Sequence, residues 1–246
     1  MNCQILAIDI FDFAVLLTSN NIIQDAKSLF DASAKLQCSQ NISEWNYECG
    51  SLKFSIEGCV AGSIPQKVNL IDIVFNISLA GIFQNDLNNV CNPLRDLSFD
   101  IELEGYRDLP DKIDVFYASW HLDKNIKSPN YTYIHPEYHL TFGGNKLEQK
   151  GVDSFGSALI LPTPRIAYPP MDVILGIDFI LQNYFPSEKV YKLIEDSRYK
   201  EIVFNSQQRL WKPYYLVLSS VWNSLPDTTF EQGFEPFNLN PHIHKA

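Results

Sequence analysis

The chain has 246 residues, 46% of them hydrophobic and 13% aromatic, with 19 Lys and Arg against 29 Asp and Glu for a formal charge of -10. Such a length and apolar content suffice for a full core and exclude global disorder. The acidic balance argues against a general nucleic-acid binder, because neutralising phosphates takes clustered Lys and Arg.

The first apolar run, Ile5 to Leu17, is interrupted by Asp9 and Asp12 and has no Lys or Arg before it, so it reads as a buried helix rather than an export signal. Ser19-Asn20-Asn21 supplies caps, and Ile22, Ile23, Ala26, Leu29, Phe30 and Ala34 then recur at helical spacing. Residues 1–40 are therefore expected to be helical. From Glu44 the period drops to two: Leu52, Phe54 and Ile56 alternate with Lys53, Ser55 and Glu57 before Gly58, Gly62 and Pro65 break the run. Ile71, Ile73, Phe75, Ile77 and Leu79 share one parity of a long half-buried strand, and Phe99, Ile101 and Leu103 alternate with Asp100, Glu102 and Glu104 in another. Asp108-Leu-Pro-Asp111 is a turn, and Ile113 to Trp120 is the next strand. With no helical pattern between them, these runs predict an antiparallel meander of four to five strands over 44–144.

Ala158 to Pro170 holds too many prolines for a helix or a central strand and is expected to cross the surface in extended form. Pro170 then opens a helix that Pro186 stops after Phe185, Ser187 caps a shorter one to about Asp196, and a last helix runs from about Pro213 to Asn223. Residues 224–246 form an extended tail docked by Phe230, Phe234 and Phe237. The expected fold is one α+β domain over 1–246, with N-terminal helices, the meander, and C-terminal helices (170–223) packed on one side. Met171 to Phe185 is too short to span a bilayer and carries Asp172 and Asp178, so no membrane segment is expected. Five cysteines, all within the first 91 residues and with no Cys-x-x-Cys pair, fit free thiols in a reducing, cytoplasmic setting.

The densest chemistry lies in His135-Pro-Glu-Tyr-His139-Leu-Thr-Phe-Gly143-Gly144. Two histidines four apart could share a metal on a helix, but Pro136 and the alternation of Tyr138 to Phe142 favour a strand, where they stand roughly 13 Å apart. No metal site and no cofactor is expected. His139-Leu-Thr141 has the His-x-Thr form used by two-histidine phosphoesterases, but its nearest companion, His121-Leu-Asp123, puts a carboxylate where a phosphate donor is needed. Asp100, Glu102 and Glu104 read as a solvated strand face, and Glu148-Gln-Lys150 as a polar loop rather than a nuclease element. Arg165, set among Pro162, Pro164, Pro169 and Pro170, is rigidly presented to a carboxylate, phosphate or aromatic partner. No Gly-x-Ser-x-Gly elbow or phosphate-binding Gly-x-x-x-x-Gly-Lys loop occurs.

The order of elements, with helix, four-stranded meander, His135-Pro136, extended crossing and helices, resembles the ubiquitin-conjugating (E2) fold over about residues 20–196. In that family the motif is His-Pro-Asn with a catalytic Cys beyond it. Here Glu137 replaces the Asn, and Gly156 to Pro162 holds no cysteine. The resemblance implies a non-catalytic binding variant. The second half, from His135-Pro-x-x-His139-Leu through Arg165-Ile166 to the apolar helix, is similar to a family of uncharacterised bacterial proteins, which implies a prokaryotic accessory component.

Two functions follow as expectations. The first is a non-catalytic subunit of a prokaryotic multi-protein system, such as a defence system, that holds a protein partner through Pro136, Tyr138, Gly143, Gly144 and Tyr168. The alternative is a hydrolase or nuclease, with or without metal, using His135, His139 and Arg165. An enzyme requires those three side chains to meet in one cleft beside a carboxylate.

Overall fold

The computed structural model describes residues 2–39, 43–58, 63, 65–83, 88–125, 135–143, 145–150, 161, 165–223, 225 and 228–243. Two helices open the chain, α1 (Cys3–Ser19) and α2 (Lys27–Gln37), and Asn2 caps α1 by accepting from the Ile5 amide at 3.0 Å. Asn20 and Asn21 end α1 rather than start α2, with Asn21 in the left-handed region at φ 55°. One face of α1, with Leu6, Ile10, Phe13 and Leu17, enters the core. The other does not: Ile5, Ile8, Phe11 and Val15 are 41%, 50%, 45% and 41% exposed, which corrects the expectation of a helix buried all round.

The chain then builds β1 (Glu44–Glu57), β2 (Leu70–Ile82), β3 (Asn89–Val90), β4 (Leu94–Leu109), β5 (Lys112–Lys124), β6 (Tyr138–Phe142) and β7 (Ile166–Ala167). The main sheet has six strands in the order β1-β2-β4-β5-β6-β7, every neighbour antiparallel. It is thus larger than the four to five strands expected, because two-residue β7 is too short to carry a period. Pro110 and Asp111 turn β4 into β5, with Leu109 opposite Lys112. Between β6 and β7 lies α3 (Asn145–Gln149), so Glu148-Gln-Lys150 closes a short helix rather than lying in a loop.

The inward residues of alternate positions, Phe54, Ile73, Phe75, Phe99, Ile101 and Leu122, meet a helical layer of α1, α2, α4 (Val173–Tyr184), α5 (Ser187–Ile194) and α6 (Ser197–Ser219) in one hydrophobic cluster. Gly176 lets α4 lie against the sheet, since a Cβ there would stand 2.5 Å from the Phe75 ring and 2.7 Å from Phe99. Asp172 caps α4 from the Leu175 amide at 3.0 Å. The last helix begins at Ser197, not at Pro213, which sits inside it. The tail is not purely extended: β8 (Thr229–Phe230) pairs in parallel with β3, and α7 (Pro236–Leu239) follows, with Phe234 and Leu239 buried. Among the described residues no helix is long and apolar enough to cross a membrane.

Candidate functional site

The sheet face turned away from the helices carries the alternate set of side chains, and where β5 pairs with β6 this set is polar. His121 stands opposite Thr141, and Asp123 opposite His139. Directly opposed residues of an antiparallel pair share a face, as do residues two apart on one strand, so all four lie on the same side. The His121-x-Asp123 and His139-x-Thr141 tripeptides thus lie head to tail as a four-residue plaque. Asp123 is its centre, with its Oδ2 3.3 Å from His121 Nε2 and 3.7 Å from His139 Nε2.

His135 joins this group, contrary to the separation of roughly 13 Å that strand geometry gives. The strand starts only at Tyr138, and the bend at Glu137 folds His135 back so that its ring meets His139 edge to face, centroids 5.2 Å apart. The pairing of β7 with β6 brings in the crossing segment, placing Arg165 Nη1 2.5 Å from His135 Nε2. A guanidinium has no acceptor, so it is Arg165 that donates, which leaves His135 neutral with its proton on Nδ1. Burial, then Arg165, hold the His135 pKa below its ordinary value, while Asp123 opposes them. Burial presses His139 harder, to about 4, against the opposing pull of Asp123 and of the Pro136 carbonyl 3.4 Å from Nδ1. His139 is 3% exposed.

Of the residues named as contacts, Pro136, Tyr138 and Gly143 lie in the interior. Pro136 and Gly143 are buried, and the Gly143 amide donates to Ser119 O at 2.8 Å. Tyr138 is fully buried, and its hydroxyl donates a short hydrogen bond to Asn92 Oδ1. Tyr168 is half-buried against Phe179, with its amide donating to Tyr138 O. Gly144 lies outside the described residues. Sequence reasoning passed over Glu137 and Asn92: Glu137 is 5% exposed, accepts from Asn92 Nδ2 at 2.8 Å, and faces Lys124 Nζ at 3.4 Å. The tail closes on the same point, since Glu231 accepts from the Asn92 amide at 2.7 Å and from Arg95 at 2.8 Å. No local signal marks Asn92 or Glu137, because their partners are 45 residues apart in the chain.

Two further groups fall elsewhere. On β4, Glu104 accepts from Lys150 and from Tyr106, which hold its carboxyl below the usual range. A groove of about 440 Å³ between α2 and the sheet is lined by Ser28, Asp31, Lys35, Glu48 and Asn76, and one of about 400 Å³ by Arg95, Asp96, Lys124 and Asn125; neither includes His135, His139 or Arg165. Among the described residues no three His, Cys, Asp or Glu side chains are placed to hold a metal ion.

The geometry defines an α+β protein with a polar plaque, largely closed by its own side chains, on the outer face of an antiparallel sheet. No family model, curated protein or solved structure matches the chain.

Proposed function

We propose that the chain acts by holding a protein partner, as a non-catalytic component of a multi-protein assembly. The observation that carries this reading is the uncovered face of α1. Four large apolar side chains, Ile5, Ile8, Phe11 and Val15, stand 41–50% exposed along one helix while its opposite face is fully buried. A chain with a net charge of -10 has ample polar residues to place there, and this apolar face, interrupted by Gln4 and by Asp12 in its pair with Arg198, marks a contact surface. The His cluster supports the same view. Asp123 occupies the position between two imidazoles that an anionic substrate would take, Arg165 occupies the free nitrogen of His135, and a histidine with a pKa near 4 is a feeble base at neutral pH. A prokaryotic setting and kinship to E2-like folds without the catalytic Cys belong to this proposal; element order supports the kinship, with the meander followed by His-Pro and then helices.

The test is capture from the native host with the wild type, with Ile5→Asp/Ile8→Asp, and with an exposed control such as Glu188→Gln. A stoichiometric partner retained by the wild type and the control but lost by the double variant is the expected result. Equal capture by all three overturns the assignment to α1.

One observation favours a second reading. His135, His139 and Arg165 do meet beside a carboxylate, as a hydrolase requires. Turnover of a phosphodiester by the purified chain, abolished in both His139→Gln and Arg165→Gln, is what that reading demands; an inactive wild type removes it.

A further inference from the structure

The outer face of the sheet concentrates negative charge. From Asp72 to Ser78 on β2, Ser98 to Glu104 on β4 and Tyr117 to Asp123 on β5, the alternate positions turned from the core hold Asp72, Asp100, Glu102, Glu104 and Asp123 and no Lys or Arg. Asp72 stands directly opposite Glu104, and Glu102 and Asp100 follow on the same face along β4. Like charges so placed destabilise a strand pair, so folding by itself gives no reason to gather them.

Within this face the chain shows how a cation is received. Lys150, just after α3, sets its Nζ 2.8 Å from Glu104 Oε1 and 3.7 Å from Glu102 Oε2, with the Tyr117 ring centroid 5.2 Å away. Tyr106 steadies Glu104 by donating to its other oxygen at 2.8 Å. Two carboxylates and an aromatic ring make a seat for an ammonium or a guanidinium. One ammonium offsets only one of the charges gathered there. A different sign of an incomplete site lies nearer β6. Thr141, opposite His121 on this face, is 4% exposed, and among the described residues its hydroxyl oxygen has no hydrogen-bond partner. Buried polar groups are rarely left so unless a further group completes them.

We infer that this face docks a cationic segment of a protein partner, an extended stretch with Lys or Arg at alternate positions. Charge complementarity selects such a segment over an acidic or apolar one, and over a second copy of this chain, whose net charge is -10. The spacing fits as well, since alternate side chains of an extended segment stand about 7 Å apart, as do those of Asp100, Glu102 and Glu104 along β4. Thr141 offers an acceptor to the end of the segment beside His121. This surface lies on the sheet and the α1 stripe on the helical layer, and neither reading rests on the other.

Fluorescence anisotropy with the full chain tests this, using a labelled peptide about eight residues long with Lys at alternate positions and a counterpart with Ser in place of Lys. The wild type should bind the Lys peptide at least about tenfold more tightly than the Ser peptide at about 50 mM salt, where exposed charges are weakly screened. Asp100→Asn/Glu102→Gln should weaken that binding about tenfold, whereas Glu188→Gln/Glu195→Gln, which removes the same charge from the helical layer, should change it less than about twofold. Because it relieves repulsion, the first double variant should keep a urea midpoint no lower than the wild type's, which separates lost binding from lost folding. Lys150→Gln should tighten binding by leaving Glu104 to the peptide. Equal weakening by the two double variants overturns the proposal, since net charge alone would then be the cause. So does a wild type that does not distinguish the two peptides. Spermine binding more tightly than the Lys peptide assigns the face to small polyamines and overturns the protein partner.

Discussion

Two buried polar groups hold this fold together by opposite means. In the helical layer, Arg209 of α6 lies between Asp9 of α1, at 3.0 Å, and Asp172 at the head of α4, at 3.3 Å, with the Ser206 hydroxyl donating to Asp172. On the sheet, His135 and His139 are kept neutral by burial and by Arg165, and only Asp123 at the rim carries a compensating charge. The first network is stable because opposite charges meet, with Arg198 a second cation 3.5 Å from Asp9, and the second because most of its members carry none. A paired network fails when one member is removed, whereas a neutral cluster fails when it is charged.

The largest expected effect comes from breaking the ion-paired network. Arg209→Leu strands two carboxylates in the core and should cost about 3–5 kcal/mol, read as a drop in the urea midpoint. Next comes charging the neutral cluster. His139 takes up its proton near pH 4 in the folded chain but near 6.5 once unfolded. Between those values the unfolded chain binds more protons, so stability falls as pH falls, by about 2 kcal/mol at pH 5 and at most about 3 kcal/mol near pH 4. His139→Gln should lower stability at pH 7 but flatten this slope; a slope as steep as the wild type's would show that His139 is not its source. Asp9 has the opposite sign. Burial holds its carboxyl above the ordinary 3.8, so just above that pH the folded chain keeps the extra proton and acidification adds stability.

A smaller change separates the two influences on His135. Arg165→Gln should raise the His135 pKa, followed by NMR titration, yet leave it below 6.5 because burial is the larger cause. The smallest stability effect is expected at the α1 stripe: Ile8→Asp should shift stability by no more than about 0.5 kcal/mol, which keeps the binding test free of unfolding.

What could be read from the sequence was whatever local chemistry decides. The alternation of Ile71 to Leu79 and of Phe99 to Leu103 gave strands at those places, and Asp172 after Pro170 marked the head of α4. The start of α6 was missed because its buried stripe runs Tyr199, Ile202, Ser206, Arg209, Leu210, Pro213. Two polar residues at core positions interrupt the apolar period, and their partners, Asp9 and Asp172, lie far away in sequence. α1 misled for the reverse reason, since large apolar residues on both faces, with Asp9 on the covered side and Asp12 on the other, give no sign of which side is covered. At the candidate site, His135, His139 and Arg165 were nominated by residue type, but their meeting depends on a bend at Glu137 and on a two-residue strand that no period reveals. Asp123 gained its place only through register with His139.

The link between Asp9 and Arg209 also bears on the order in which the molecule is made. These side chains are 200 positions apart, whereas β1, β2, β4 and β5 join sequential neighbours in the main sheet. The emerging meander can zip up while synthesis continues and α2 can dock on α1, as Ser33 does on the Ala7 carbonyl, but the part of α1 that meets α6, with Phe13 against Tyr199, waits until α6 has left the ribosome. For most of its synthesis that part of the first helix is therefore displayed, a period in which chaperone capture or premature association with a neighbour would compete with folding.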